Sequence, residues 1–127
     1  MTPPSTADVE RAVRAAWTPQ TTYAKPAFLA RGAGRPSRGQ CGPTALVVHD
    51  LLGGELLVAE VSYEGERDGV HYWNRLPDGR ELDLTRDQFV AGEVLSPPQT
   101  VQRGETADPA AEVAYRLLLS RVRAVLG

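Results

Sequence analysis

Three residues of this chain have the types that make up a nucleophilic thiol site, and they occur in the order Cys41, His71 and Asp83. Cys41 is the only cysteine, and it stands between a loop-forming stretch and an apolar run in "GRPSRGQCGPTALVVHD". A thiol attacks as its thiolate, which the unpaired N–H groups and the dipole of a helix N-terminus favour. This position predicts a nucleophile, and the alternative is a small buried side chain that packs as a hydrophobe.

The general base of such a site has to be one of two histidines, His49 or His71. His49 follows Cys41 by eight residues on the same expected helix, which is about 12 Å along the axis and out of reach of the thiol. We therefore interpret His49 as structural. His71 lies in "GVHYWN", a run typical of a β-strand, and that strand can pack beside the start of the helix. His71 is the expected base.

Asp83, in "RELDLT", is the residue expected to orient the imidazole and to stabilise its charged form. It follows His71 by twelve residues, and the "PDG" turn signal lies between them. This spacing is that of a pair in an antiparallel hairpin, where cross-strand side chains come within a few ångströms. The alternative is a residue at the end of a strand, near solvent.

Four further residues, Gln40, Gly42, Trp73 and Asn74, are expected to bind substrate or the oxyanion of an acyl-transfer intermediate. Gly42 allows a substrate to approach the backbone closely, and Gln40 adjoins the thiol. Trp73 shares the predicted strand face of His71, where it shields the ring from water or packs in the core. Asn74, at odd spacing from His71, points to the opposite face and is a polar neighbour.

The first and last helices are predicted from caps and apolar spacing. Residues 5–17 have Ser5 or Thr6 as a cap. Their apolar stripe is Val9, Val13, Ala16 and Trp17. Asp108 caps the last helix, and Pro109 takes its first position. Its apolar stripe is Ala114, Leu117, Leu118, Val122 and Val125.

The middle of the chain is predicted to hold the helix of Cys41 and two connections. Pro43 suits the first helical turn, and an apolar run over residues 44–52 continues to the "GG" that ends it. Residues 18–40 have no sustained period and predict a long loop with a short turn near residues 26–30. Residues 91–107 contain two prolines and a glycine and predict a surface connection.

The strand signals predict the fold class. "ELLVAEVSYEG" alternates apolar and polar residues, and "GVHYWNRLPDGRELDLT" contains two β-rich runs around a turn. Sequential strands joined by tight turns imply an antiparallel sheet. We therefore expect a single α+β domain over residues 1–127, in which the cysteine-bearing helix packs on a small antiparallel sheet with helices on both flanks.

The order of a cysteine on a helix, a histidine on a strand and an aspartate on the next strand resembles the papain-like superfamily, and within it the core of transglutaminase-like proteins and arylamine N-acetyltransferases. The counterparts here are "QCGPTAL", "HYW" and "LDLT", over roughly residues 39–85. The resemblance implies a papain-like, transglutaminase-like core. Papain-type enzymes place an oxyanion-hole glutamine several residues before the nucleophile, whereas the glutamines here are the remote Gln20 and the adjacent Gln40.

A closer resemblance, over more of the chain, is to the YunG-like family of small bacterial proteins. It rests on "GQCGPTALVVHDLLGGELL", on "HYWNRLPDGRELDLTRDQF" and on the N-terminal "AW" followed by a polar loop. The residues that carry over by this resemblance are Cys41, His71 and Asp83, together with Gln40, Asn74 and the "TRDQF" run at residues 85–89. The resemblance supports the site and names no substrate.

Composition and charge predict which kinds of partner and which cellular compartment this chain has. The chain has 127 residues, 42% hydrophobic and 24% charged, with a net charge of -2. This near-neutral charge gives a nucleic-acid partner little electrostatic support, and no stretch approaches the roughly 18 apolar residues of a membrane span. The start "MTPPSTADVE" lacks the features of a secretory signal, and one cysteine forms no internal disulfide. We expect a cytoplasmic protein with neither a nucleic-acid nor a membrane partner.

These residues predict a cysteine-dependent hydrolase or acyltransferase that forms a thioester at Cys41, with His71 as base and then acid and Asp83 as its orienter. The expected substrate is a small-molecule or peptide amide, ester or thioester, and no cofactor is expected. The alternative is a noncatalytic papain-like domain that binds a peptide or protein partner in the same cleft. A zinc site made by the same three residues lacks a paired-ligand spacing such as C-x-x-C, so no metal is expected.

Overall fold

The computed structural model describes residues 3–104 and 108–127, which form an α+β arrangement with an antiparallel sheet, as predicted. The helices are α1 (Thr6–Ala16), α2 (Pro26–Arg31), α3 (Cys41–Leu52) and α4 (Pro109–Leu126), and the strands are β1 (Glu55–Tyr63), β2 (Glu66–Arg75), β3 (Glu81–Leu82), β4 (Glu93–Leu95) and β5 (Gln99–Val101). Short 3₁₀ turns occupy Pro19–Thr21 and Arg86–Gln88. No helix in the described ranges is long and apolar enough to cross a bilayer.

The sheet is built on the long hairpin of β1 and β2, which pair antiparallel from Glu55 and Arg75 to Tyr63 and Glu66. β3 extends the free edge of β2 by two residues. The "PDG" turn between β2 and β3 is closed by the Gly79 N–H, which donates to the Leu76 carbonyl at 2.9 Å. These elements confirm the predicted strands and their antiparallel order.

The other edge of β1 is covered by β4 and β5, which pair with opposite ends of that strand. The expectation of a surface connection over residues 91–107 is corrected by these two strands, although its residues 105–107 lie outside the described part of the chain. Each strand has three residues, and Pro97 and Pro98 lie between them. A strand of this length does not show a period of two, which is why the sequence pattern missed it.

α3 starts at Cys41, with Pro43 in its first turn, and ends at Leu52, as predicted. Gly53 and Gly54 follow it with φ of 74° and 86°. A Cβ atom at Gly54 would stand 2.1 Å from the carbonyl oxygen of Arg75. The turn from α3 into β1 therefore requires glycine at this position.

The larger hydrophobic core lies between α1, α3 and α4. Ser5 caps α1 by accepting the Asp8 N–H at 3.1 Å, and Asp108 caps α4 by accepting the Ala110 N–H at 2.9 Å, so both predicted caps are confirmed. The buried residues of this core are Val9, Ala12, Val13, Trp17, Val47, Val48, Leu84, Leu118 and Val122.

The predicted apolar stripe of α4 is right along most of the helix and wrong at its end. Ala114, Leu118 and Val122 are buried, but Val125 is 69% exposed. In the last turn Leu126, and not Val125, packs against the core. The apolar stripe therefore continues at a spacing of four residues to Leu126, and only the choice of Val125 is wrong.

Two buried hydrogen bonds fix the first half of α3 between the helices and the sheet. Trp17 Nε1, after the end of α1, donates to Thr44 Oγ1 at 2.9 Å. Asn74 Nδ2, on β2, donates to the carbonyl of Ala45 at 3.0 Å. These contacts hold the first turn of α3, which carries Cys41, beside β2. A second, smaller core lies on the sheet, where Leu95 packs against Leu57, Ala59 and Trp73.

The segment 18–40 is an irregular loop that contains the 3₁₀ turn at Pro19–Thr21 and α2, close to the predicted turn at residues 26–30. Arg38 ties its end to β4, because its guanidinium makes two hydrogen bonds of 2.7 Å to the Glu93 carboxylate. Arg38 Nε also donates to the carbonyl of Phe28 at 2.8 Å. The loop is thereby packed against the sheet just before α3.

Candidate active site

Cys41 is the first residue of α3, and it opens onto a cavity of about 460 Å³. The thiol is free and half-buried, so the alternative of a fully buried small side chain does not describe it. The chain approaches Cys41 through Gly39, which has a φ of 75°. A Cβ atom at Gly39 would lie 2.6 Å from Leu29 and 2.8 Å from Thr22. The close packing before the helix therefore requires glycine.

His71 lies on β2 and has no exposed surface. Trp73 stacks on the imidazole with 5.1 Å between ring centroids and 20° between ring planes. Phe89 meets the same ring edge-on, at 4.8 Å and 87°. The two aromatic rings fix the orientation of the imidazole and keep water from it. Trp73 thus lies beside His71 where the strand pattern puts it, and its contact with a substrate stays a prediction.

Asp83 meets His71 through a hydrogen bond of 2.7 Å between Oδ2 and Nε2. The contact arises differently from the predicted cross-strand pair. β3 ends at Leu82, which pairs with Asn74, and the continuation of that register would place Asp83 opposite Trp73. The carboxylate therefore reaches His71 diagonally across the hairpin, a distance that twisted antiparallel strands allow.

The Asp83 carboxylate is held by two neighbours besides His71. Arg86 Nε donates to Oδ2 at 2.7 Å, and the Thr85 N–H donates to Oδ1 at 3.2 Å. Asp83 directly follows the end of β3, as the alternative has it, but its side chain is only 11% exposed and so does not lie in solvent. These donors hold the carboxylate against the imidazole.

The electrostatics of the site favour a charged imidazole. Burial acts to lower the pKa of His71, but the hydrogen bonds and negative charges of Asp83 and Cys41 outweigh it and raise the pKa from 6.5 to about 9. Burial likewise acts to raise the pKa of Asp83, but His71 and Arg86 outweigh it and hold that pKa below 3.8. Because Asp83 occupies Nε2, the nitrogen that remains for Cys41 is Nδ1.

Gln88 connects the histidine to the loop before the cysteine, a connection that the sequence does not predict. Its side chain is fully buried, Oε1 accepts the Gly39 N–H at 3.0 Å, and Nε2 donates to Thr85 Oγ1 at 3.1 Å. Nε2 also lies 3.4 Å from His71 Nδ1, which is too long for a strong hydrogen bond. Gln88 belongs to the "TRDQF" run that the family resemblance marks, but a three-residue 3₁₀ turn has no periodicity to show that it is buried.

Gln40 and Asn74 are buried, but neither lines the cavity at Cys41. The Gln40 amide accepts from Thr21 Oγ1 at 2.7 Å and donates to the Thr18 carbonyl at 3.1 Å and to Thr22 Oγ1 at 2.9 Å. The Asn74 amide donates to a carbonyl of α3. The sequence predicts that both side chains bind substrate or an oxyanion. In the structure both amides are instead engaged by hydrogen bonds within the protein, away from the cavity at Cys41.

Gly42 presents bare backbone to the cavity. A Cβ atom there would meet no atom within 4 Å, and Gly42 lines the cavity together with Cys41. Within residues 3–104 and 108–127, the backbone N–H groups of Cys41 and Gly42 have no hydrogen-bond acceptor. Free N–H groups at a helix start are suitable donors to an oxyanion. They are better candidates for this role than the Gln40 side chain.

The arrangement does not suit a metal ion held by the three predicted residues. Asp83 already occupies Nε2 of the His71 ring. In the described part of the chain, no group of three or more His, Cys, Asp and Glu side chains is arranged to hold a metal ion. His49 is not in the site either, because its Nδ1 lies 3.1 Å from Arg103 on another surface.

Comparisons with known proteins indicate the family of this chain. A family model described as YunG protein matches residues 5–127. The uncharacterized protein YunG of Bacillus subtilis (strain 168) is 39% identical over 56 residues, which cover 44% of this chain and 44% of that protein. The match thus spans less than half of the relative's length, and no solved structure matches the chain. Because the family model covers nearly all of the sequence, this chain belongs to the YunG protein family.

Proposed function

We propose that this chain is a cysteine-dependent hydrolase or acyltransferase that forms a thioester between Cys41 and the acyl group of its substrate. The observation that carries the proposal is the buried His71 imidazole, which meets Asp83 at 2.7 Å through Nε2 and has Cys41 as its other acidic partner. A nucleophile, a base and a residue that orients the base are the groups that acyl transfer uses. The substrate is a small-molecule or peptide amide, ester or thioester that enters the cavity at Cys41.

Before the first half-reaction the thiol proton rests on His71 Nδ1, and the Cys41 sulfur then attacks as its thiolate and bonds to the substrate carbonyl carbon. The carbonyl electron pair shifts to oxygen, where the backbone N–H groups of Cys41 and Gly42 donate to the oxyanion. As the tetrahedral intermediate collapses, the bond to the leaving group breaks and His71 gives that group its proton. Asp83 keeps the imidazole in position and stabilises its charged form.

In the second half-reaction a water molecule or another nucleophile attacks the thioester carbonyl, and His71 takes its proton. The carbon–sulfur bond then breaks, which restores the Cys41 thiolate beside the protonated His71. Water gives hydrolysis, and an amine or alcohol gives acyl transfer. Both outcomes use the same groups of this chain.

A papain-like or transglutaminase-like core is the finer fold proposal. It is supported by a cysteine at the start of a helix that packs on a strand bearing the histidine, followed by an aspartate after the next strand. The free backbone N–H of Cys41 fits this interpretation. The structural position of Gln40 departs from it, because the Gln40 amide is engaged away from the cavity.

Intact-mass detection of an acyl adduct tests the proposed function. Incubation with p-nitrophenyl acetate should acetylate the wild-type chain at Cys41 and leave Cys41→Ser unlabelled. His71→Gln retains the thiol and should acylate more slowly by roughly 10²–10⁴-fold, since the base is lost. Iodoacetamide at mildly acidic pH gives a second measurement, in which Cys41 should react faster than a small-molecule thiol.

Two results would count against catalysis. Equal acetylation of the wild type and Cys41→Ser would show that the ester modifies another group. A Cys41 that reacts with iodoacetamide no faster than the small-molecule thiol would favour the alternative, a noncatalytic domain whose cavity binds a peptide or protein partner.

A further inference from the structure

A second cavity, of about 270 Å³, adjoins the cavity at Cys41. We name the first the thiol cavity and the second the side cavity. They share the lining residues Tyr23, Gly42 and Tyr72. The two cavities therefore adjoin at Gly42, the residue that directly follows Cys41.

The thiol cavity is the cavity on the side of the base. It is lined by Phe89, which contacts the His71 ring edge-on, and by Gln88, whose amide nitrogen lies 3.4 Å from His71 Nδ1. A leaving group takes its proton from the base, so it must depart on the His71 side. The acyl group that stays on Cys41 then extends in the other direction, past Gly42 and into the side cavity.

The side cavity is lined mainly by apolar residues, and the polar members of its described lining are Gln102 and Arg103 besides Tyr23 and Tyr72. Its apolar lining residues are Pro43, Ala45 and Leu46 of α3, Leu56 of β1, Val101 of β5 and Ala111 of α4. The charged side chain among its described lining residues, Arg103, is already held by Asp50 at 2.5 Å and by Tyr115 at 2.7 Å. Among the described lining residues, an acyl group with a carboxylate or ammonium would therefore find no free partner of opposite charge.

The size of the side cavity limits the acyl group further. Pockets that take drug-sized ligands measure roughly 300–1,000 Å³, and the side cavity, at about 270 Å³, is smaller. Its volume suits a short flexible chain better than a folded peptide segment or a fused ring system.

From these observations we infer that the side cavity is an acyl subsite for an uncharged, apolar chain, which makes the substrate class a short- to medium-chain acyl ester, thioester or amide. The inference rests on the proposed function, because it requires an acyl group on Cys41. The two cavities thus hold the two parts of the substrate, with the acyl chain in the side cavity and the leaving group in the thiol cavity.

The test compares p-nitrophenyl acetate, butyrate and hexanoate, which share one leaving group and differ in acyl length. For the wild type, the rate of Cys41 acylation, corrected for spontaneous hydrolysis, should rise along the series by up to about fourfold per methylene. Val101→Trp fills the side cavity from an exposed strand and should remove this rise, so that the hexanoate and acetate rates of the variant become equal within about twofold. Ala111→Trp fills it from α4 and should act in the same way.

Val70→Trp is the matched control, since Val70 lines the thiol cavity alone. It should slow all three esters by the same factor and keep their ratio. Acylation of the wild type at rates that do not depend on chain length would overturn the acyl subsite while leaving the proposed function standing. The same holds if Val101→Trp and Ala111→Trp both fold and keep the wild-type ratio. Failure of every ester to label Cys41 would overturn both.

Discussion

His71 is a buried cation between two acidic groups, and this explains why its proton is available for chemistry. Without neighbours, burial would favour a neutral ring. Asp83 at 2.7 Å and the Cys41 thiol reverse that preference and raise the pKa of His71 to about 9. At neutral pH the ring therefore carries a proton, which in the proposed mechanism goes to the leaving group, and Asp83 is the positioning residue that keeps it there.

The substitution Asp83→Asn tests the role of the Asp83 charge, because it removes the charge and keeps the shape of the side chain. The amide fills the same space without a negative charge, so the pKa of His71 falls and less of the ring is protonated. Acetylation of Cys41 by p-nitrophenyl acetate should slow by roughly 10²–10⁴-fold, and the alkaline limb of its pH profile should move to lower pH. Thiol accessibility, measured with a neutral disulfide reagent in denaturant-free buffer, should be unchanged.

Asp87→Asn provides the control for this measurement. Asp87 is 59% exposed and pairs with Arg14, so it lies in the same part of the chain without contact to His71. Its acylation rate and pH profile should match those of the wild type. A wild-type profile in Asp83→Asn would remove Asp83 from the mechanism.

A buried ion cluster of Arg31, Arg38 and Glu93 positions the loop 18–40, which precedes α3. The side chains of Arg38 and Glu93 are 3% and 0% exposed, and Arg31 adds a bond of 2.6 Å to the same carboxylate. Burial acts to raise the pKa of Glu93, but Arg38, the Val90 N–H and Arg31 outweigh it and lower the pKa to about 2. The main role of the cluster is to hold the loop 18–40 against β4. Its net contribution to stability is smaller, because the cost of desolvating the charges offsets much of their mutual attraction.

Glu93→Gln should destabilise the fold by about 3–5 kcal/mol, since it leaves the buried Arg38 charge without its counter-charge. Urea unfolding with a constant m-value would measure the loss. Glu60→Gln is the control, because Glu60 is 61% exposed and lies 3.8 Å from Arg67. It should change the free energy of unfolding by no more than about 1 kcal/mol. If Glu93→Gln also changes the free energy of unfolding by no more than about 1 kcal/mol, the ion pair of Arg38 and Glu93 does not stabilise the fold as proposed.

The whole molecule places the site at the junction of its two hydrophobic cores. α3 belongs to the helical core and carries Cys41, whereas His71 lies on the sheet next to Trp73 of the smaller core. The hydrogen bonds from Trp17 and Asn74 to α3 join these parts. The site therefore exists only in the folded chain, and the ionisation of His71 is coupled to folding.

Stability should fall at alkaline pH because of this coupling. The pKa of His71 is raised on folding from 6.5 to about 9, so its contribution is fully present below pH 6.5 and is lost as pH rises through about 9. The contribution is on the order of 3 kcal/mol. Asp83, with a lowered pKa, acts in the opposite sense, and its contribution is lost as pH falls below 3.8.

Urea unfolding at a series of pH values from neutral to alkaline would measure this loss. In His71→Gln the free energy of unfolding should be lower at neutral pH and nearly flat over the same range. A slope in His71→Gln equal to that of the wild type would assign the pH dependence to another group.

Much of this architecture follows from local signals. Ser5 and Asp108 mark helix starts by their capping chemistry, Gly53 marks a helix end, and alternation around "PDG" marks the hairpin. These signals depend on residues that are close in sequence. They therefore predicted the α+β class, the helix that begins near Cys41 and the order of the three candidate site residues from the amino-acid sequence alone.

Contacts between distant segments required the folded structure. The diagonal approach of Asp83 to His71, the burial of Gln88 and the pairing of Arg38 with Glu93, 55 residues apart, depend on how the loop and sheet pack. The same packing engages the Gln40 amide elsewhere and leaves the N–H groups of Cys41 and Gly42 free. Residue type and spacing specify which groups are available for chemistry, but long-range packing decides which of them face the cavity, because periodicity carries no information about partners beyond its own element.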